Sequence, residues 1–315
     1  MISIKNIIKQ FIPPIFLKSA KTTQFFIQSF KSNKNKRYKT VKIGDKEILI
    51  PLDHKLDSYM TSYPRYDKAL GEIARIMHEH LGHFTAIDIG ANVGDSAALI
   101  CKYHNIPVLC IEGCSEFMPY LKLNATKIGT HIQIANCFVG TQSGFIDNKL
   151  MNVKNGTASM PNYFSDETDK KHALNNIKTL AEILLQNKSF ENAALIKIDT
   201  DGYDFSIILH SLNYFKKNMP ILFLEYDPSY NGNNEAESAM NALWNIGYRH
   251  FLIYDNFGNF LIALHDTNSF CDINAYLAAN RKTKQVIYYF DVCAISHEKF
   301  EVFEKIRNYE LYNFN

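Results

Sequence analysis

The stretch over residues 86–97, AIDIGANVGDSA, constrains the fold of this chain more than any other. A β-forming run ends in Asp88, and Gly90 and Gly94 then bracket a tight turn that opens a helix over about 94–103. Glycine at such a turn permits positive φ and close approach of backbone to a ligand. The start of the helix offers unpaired N–H donors to an anionic group. The spacing is Gly-x-x-x-Gly and lacks the Gly-x-Gly-x-x-Gly that accommodates a pyrophosphate. The expected ligand therefore carries a carboxylate and a nucleoside without a diphosphate bridge. Glu112 lies 18 residues past Gly94, at the end of the next expected strand, where an acid can accept hydrogen bonds from both ribose hydroxyls.

The turn sits in a regular alternation. Strands are expected over 84–89, 107–111, 131–136, 194–199 and 220–225, with helices over 94–103, 116–128 and 204–215 between them. This is the βαβ rhythm of a doubly wound parallel sheet, whose ligands sit beyond the carboxyl ends of the strands. Late in the chain, 251–254 and 260–264 flank Asp255-Asn256-Phe257-Gly258-Asn259, a hairpin signal that closes the sheet with an antiparallel pair. Before the alternation, 41–51 reads as a hairpin around Gly44-Asp45. Residues 66–81 read as a helix with Leu70, Ile73, Ile76, Met77 and Leu81 on its apolar stripe. Between the third and fourth strands, residues 140–176 form a long polar insertion above the strand ends, read as a lid or a loop. Its Tyr163 and Phe164 are candidates for stacking on a sugar face. The organisation expected is a leader over 1–40, a lead-in over 41–83, and a domain over 84–315.

Composition excludes several classes. With 46% hydrophobic residues, 22 Phe and 18 Tyr in 315 residues, the chain has ample surface to bury, which argues against disorder. The formal charge of +2 gives no reason to expect nucleic acid as a partner, but it hides an asymmetry. Residues 1–40 hold nine basic side chains and no acid, so the remainder has 34 − 9 = 25 basic against 32 acidic residues, a net of −7. Within the leader, Ile4, Ile7, Ile8 and Phe11 fall on one arc of a helical wheel, opposite Lys5 and Lys9, until Pro13-Pro14 ends the pattern. It reads either as an in-plane anchor for anionic lipid headgroups or as a helix packed on the domain or on a partner subunit, the latter leaving an oligomer open. Six cysteines without a CxxC pair read as buried thiols in a reducing compartment. No stretch approaches the ~20 apolar residues of a membrane span, and no signal peptide is apparent. The expected location is cytoplasmic, with the anchor reading adding the inner face of the membrane.

The motifs together resemble a known family. DIGANVGD with IEGCSEFMPYLKLNA looks like the first two motifs of class I S-adenosylmethionine (SAM)-dependent methyltransferases. TLAEILL (179–185), IKIDTDGYDFSIILHSL (196–212) and PILFLEYDP (220–228) resemble the FkbM family in order and spacing, over roughly 84–228, with a tail to DVCAIS (291–296). The resemblance implies an α/β, Rossmann-like, mostly parallel seven-stranded sheet with a closing antiparallel hairpin. It implies SAM as cofactor and O-methylation, commonly of sugars or polyketide-type hydroxyls. Carried over, Gly90, Asn92 and Gly94 line the methionine part, Asp88 orients their loop, and Glu112 holds the ribose. Ala91, Asp95 and Gly113 complete the cofactor set. One position departs: the family usually shows Glu-Gly after the fourth strand, where this chain has Asp201-Gly202.

Methyl transfer from a sulfonium to a hydroxyl needs alignment, exclusion of water and removal of the hydroxyl proton. Asp199, ending the fourth strand, is the first candidate: a base, a divalent-metal ligand with Asp201, or a cofactor contact. Asp201 also reads as a turn residue and Asp204 as a helix cap. Three acids so spaced do not make an EF-hand loop. Glu225 and Asp227, ending the fifth strand, are candidates for contact with a small-molecule or glycan acceptor. His265, after the closing hairpin, is a candidate base. Two alternatives stand beside the O-methyltransferase: a nicotinamide-dependent oxidoreductase of similar topology, and a non-catalytic SAM-binding module tethered to a membrane assembly.

Overall fold

The computed structural model describes residues 38–147, 152–154, 156–159 and 174–312. The described residues from Thr40 onward belong to one compact unit, which carries the main sheet. All but the last three residues of the expected leader lie outside the described residues, as do Tyr163 and Phe164.

The strands are β1 (Tyr38–Ile43), β2 (Lys46–Pro51), β3 (Ala86–Ile89), β4 (Val108–Glu112), β5 (Ile132–Asn136), β6 (Phe138–Val139), β7 (Gly144–Asp147), β8 (Asn152–Lys154), β9 (Thr157–Ser159), β10 (Leu174–Lys178), β11 (Leu195–Ile198), β12 (Ile221–Tyr226), β13 (Tyr248–Asp255), β14 (Phe260–Leu264) and β15 (Phe290–Ser296). Eight form the main sheet in the order β14-β13-β15-β12-β11-β3-β4-β5. The pairs from β12 to β5 are all parallel, and β15 runs antiparallel to both β12 and β13. Seven strands make the doubly wound sheet, and β14 adds an eighth at the edge as the second arm of the closing hairpin. β15 is inserted between β12 and that hairpin, so the hairpin does not meet the parallel strands directly.

β3, β4 and β11 are buried along their whole length, as strands covered on both faces must be. Side chains alternate between two cores: Ala86, Val108 and Cys110 join one face, and Ile87, Leu109 and Ile111 the other. Five of the six cysteines are buried and all are free, with Cys271 exposed.

The lead-in is part of this body. Asn124, fully buried, accepts from the Leu49 amide and donates to the carbonyls of Leu49 and Val93, each at 2.8 Å. One side chain thus ties β2 to the glycine turn. The helix expected from residue 66 begins at Lys68, because Asp67 takes a left-handed backbone (φ 56°). Its stripe is buried through Met77, whereas Leu81 is 41% exposed past the edge of the core. The helix expected over 204–215 is two, Asp204–His210 and Leu212–Asn218, meeting at Ser211. Within the insertion, β7 and β10 pair in a small sheet with β6, and β8 and β9 form a hairpin.

Candidate active site

Chain order leaves β3 toward β4 and β5 on one side and reaches β11 and β12 on the other. The crevice where the order reverses is where such sheets hold ligands. A cleft of about 270 Å³ opens there, beyond the carboxyl ends of the parallel strands. Gly90, Asn92, Asp95, Glu112 and Gly113 line one wall; Asp199, Asp201, Glu225 and Asp227 line the other.

The first wall is built by backbone hydrogen bonds. The amides of Gly90 and Ala91 both donate to the Ile111 carbonyl, at 3.0 and 3.1 Å, so neither is left for a ligand. Gly90 is required by its neighbour: with φ at 80°, a Cβ there would stand 1.8 Å from the Asp199 carbonyl oxygen. The turn is therefore locked against the end of β11. Asn92 also takes positive φ, 48°, directing its amide at 2.8 Å to Glu112 Oε2, while Oε1 accepts from the Cys114 amide. Burial pushes Glu112 up to about 7 despite those two donors. Each of its oxygens keeps a lone pair for a further donor, and the buried Oδ1 of Asn92 has no partner at all. A nucleoside diol and an amine both supply the missing donors, so the residues present fit SAM.

Three of the expected cofactor residues do not line the cleft. Ala91 is buried in the core beneath the turn. Gly94 faces the other way, its missing Cβ 3.0 Å from Leu121, so its absence of side chain serves helix packing. Asp88 lies fully buried below the turn, its oxygens without a hydrogen-bond partner, and burial pushes it up to about 6 against the pull of Lys197. Asp95 and Gly113 do reach the cleft.

The second wall is dominated by carboxylates around one ammonium. Lys197, in register with Asp88 on β3, sends its Nζ to 3.0 Å from Asp199 and 3.7 Å from Asp88. Burial would lower its pKa, but Asp199, Asp88 and Asp95 outweigh that and hold it well above its usual range. Asp201, also at positive φ (50°), accepts from the Ala158 amide at 3.1 Å, and Asn92 Nδ2 donates to the Gly156 carbonyl at 2.6 Å. The β8–β9 hairpin is thereby fastened over both walls. Burial and nearby Asp199 push Asp201 up to about 6. Asp204 holds the 199–202 turn, accepting from the amides of Thr200 and Gly202. Asp227 is spoken for by Ser229 and Arg281. Glu225 keeps a buried Oε2 without a partner, and burial followed by Asp199 raises it well above the carboxylate range.

His265 is corrected by the topology. β14 runs back from the cleft, so His265 emerges at the opposite end of the sheet, with Nδ1 at 3.0 Å from His250 Nδ1 and its ring against Phe303. It does not line the cleft.

Other lining residues lay beyond sequence reasoning. Lys197 left a trace, a lone cation inside the apolar run LIKI, but nothing marked what it meets. Asp291 arrives because antiparallel β15 starts at this end, in register with Glu225. Asp67 arrives through the lead-in; burial and then Asp95 push it up to about 7. Among the described residues, no group of three or more His, Cys, Asp or Glu side chains is placed to hold a metal ion. Nor is any helix among them long and apolar enough to cross a membrane.

The family model for the methyltransferase FkbM domain matches residues 88–250, which contain the turn, Glu112, Lys197 and both acids of the β12 end. The chain belongs to the FkbM methyltransferase family. It is a SAM-dependent methyltransferase, and the nicotinamide alternative falls with that assignment. No curated protein matches. Among solved structures, a methyltransferase FkbM from Methylobacillus flagellatus is similar at TM-score 0.37 and 14% identity, over 60% of this chain and 52% of its own. This methyltransferase thus spans about half of that protein. A SAM-dependent methyltransferase from Geobacter sulfurreducens, in complex with S-adenosyl-L-homocysteine (SAH), is similar at 0.39 and 10%, over 78% of this chain and 97% of its own. The fibrillarin pre-rRNA processing protein of Methanococcus jannaschii is similar at 0.37 and 10%, over 84% and 85%.

Proposed function

We propose that this methyltransferase moves the methyl group of SAM to a hydroxyl of a sugar in a glycan or polysaccharide precursor. The observation that carries O-methylation is the second wall: Asp199 and Glu225 at the ends of adjacent parallel strands, with Asp67 and Asp291 beside them, all opening on the cleft. A hydroxyl must lose its proton as it attacks, and a positioned carboxylate is the group that accepts it. SAM supplies an electrophilic methyl on a sulfonium. Glu112, with Gly113 beside it, would hold its ribose, and Gly90, Asn92 and Asp95 would line its methionine part. The β8–β9 hairpin excludes water, and Asp199, oriented by Lys197, holds the attacking hydroxyl or takes its proton.

The sugar rests on what the family commonly methylates. The leader adds a second part to the proposal: residues 1–40 hold the protein at the inner face of the membrane, near a lipid-linked acceptor, supported by nine basic residues with no acid. The test of the main reading is SAH release on adding glycan precursors, with a mass gain of one CH2 on the product. SAM binding without turnover on any glycan would overturn the sugar acceptor.

A further inference from the structure

The acceptor wall continues upward into a feature that neither the family match nor the motifs assign. Two segments far apart in sequence face one another at the mouth of the cleft. The lead-in contributes Tyr59, Tyr66 and Asp67; the segment entering β15 contributes Tyr288, Tyr289 and Asp291. Tyr59 and Tyr66 stack at 5.3 Å with 28° between their planes, and Tyr288 and Tyr289 meet edge to face at 5.1 Å. The segments lie within electrostatic reach, since Tyr289 feels the charges of Asp291 and Asp67, and Tyr288 feels Tyr59. Among the described residues, none of the four hydroxyls and neither carboxylate has a hydrogen-bond partner. Tyr288 stands exposed at the rim and the other five residues are half-buried. These groups line the cleft and keep their hydrogen-bonding capacity open to a ligand's hydroxyls.

Both segments are held in place before any ligand arrives. Gly258, at the tip of the β13–β14 hairpin with φ at 80°, packs so closely that a Cβ would stand 2.2 Å from the Arg65 carbonyl oxygen. Tyr63 stacks on Phe257 at 4.0 Å, and Arg65 is paired with Glu310. On the other side, Asn256 donates to the Val286 carbonyl at 3.1 Å, Asn280 to Ile287 at 2.9 Å and Arg281 Nε to Tyr288 at 3.2 Å. Left-handed backbone at Asp67 is strain retained by this packing, of the kind that gathers at binding sites.

We infer that these two segments form the acceptor subsite of the methyltransferase and that it takes an uncharged pyranose ring. Aromatic faces cover the C–H face of a sugar while carboxylates and phenols pair its hydroxyls, which is the chemistry displayed here. An anionic sugar would add charge to a cleft in which burial and neighbouring acids already make Asp67 and Asp291 hold their protons more tightly than free carboxyls. Among the described residues, the only cations lining the cleft are Lys55 and Lys197, and Lys197 is taken by Asp199 and Asp88.

This inference rests on the proposed sugar acceptor, and its test separates the two. Saturation-transfer NMR on the full chain, with and without SAH, uses methyl glucoside and methyl rhamnoside as neutral probes and methyl glucuronide as the anionic one. The neutral rings are expected to show transfer to their C–H protons and the glucuronide none. Tyr288→Ala and, separately, Tyr59→Ala are expected to reduce that transfer more than twofold while SAH affinity by calorimetry stays within twofold. Transfer that ignores both substitutions overturns the subsite, as does a glucuronide that saturates equally. Neutral rings that show no transfer while SAH binds overturn the subsite too. Sugar transfer intact with no SAH binding overturns the donor assignment alone.

Discussion

The two walls of the cleft solve opposite problems. On the first wall the backbone is satisfied from within: the Gly90 and Ala91 amides close on Ile111, and Glu112 accepts from the amides of Asn92 and Cys114, while Asn92 Oδ1 is left open. On the second wall carboxylates gather around Lys197, and Glu225 keeps a buried oxygen without a partner. The first wall is shaped by the chain for a ligand of fixed identity. The second stores repulsion and open hydrogen-bonding capacity, which a hydroxylated ligand and a cationic donor relieve. The difference teaches where precision and where adaptability reside in this enzyme.

The comparison breaks first at Asp199. Asp199→Asn is expected to lower kcat by ~10² or more in a folded protein if the residue accepts the proton; wild-type turnover would hand the role to Asp67, Glu225 or Asp291. On the donor wall, Glu112→Ala is expected to cost about 3 kcal/mol of SAM binding, or ~100-fold in Kd, by loss of two hydrogen bonds to a charged group. Calorimetry checks it, and unchanged affinity would remove the ribose assignment.

A third prediction sharpens the electrostatic contrast. Carboxyls raised in the folded cleft, such as Asp67 and Glu112 at about 7 and Asp201 at about 6, bind their protons more tightly folded than unfolded. Their support is full below the unfolded pKa of about 4 and is lost as pH climbs through 6 to 7. The ligand-free Tm should therefore fall over that window. The rise in Tm on adding SAM should be larger at pH 8 than at pH 5, because its positive charge offsets the carboxylates. A SAM shift independent of pH would contradict the repulsion ascribed to the acceptor wall. The smallest effect is expected at His265. His265→Ala should leave kcat/KM within twofold, and a large loss would mean that the far end of the sheet reaches the chemistry.

The strand, turn and helix of the first wall were legible in sequence because they are local. Strand, turn, helix and Glu112 fall within 27 residues, 86 to 112, and each carries its own signal in glycine spacing or alternation. Even so, the glycines were legible only in position. Gly90 exists for the Asp199 carbonyl and Gly94 for Leu121, neighbours that no local reading supplies. The acceptor wall draws on residues 59 to 67, 197 to 227 and 288 to 291, and Asp67 and Asp291 carry no mark of their destination.

By itself, the amino-acid order determined a buried parallel sheet with a glycine turn at its switch point, because hydrophobic period and turn chemistry act over a few residues. Only the tertiary structure decided which acids meet. Strand direction sends Asp291 to the cleft and His265 away from it, and a hairpin tip pressing on Arg65 sets Asp67 in place. Those outcomes depend on register and packing between distant segments, and such contacts have no local signature.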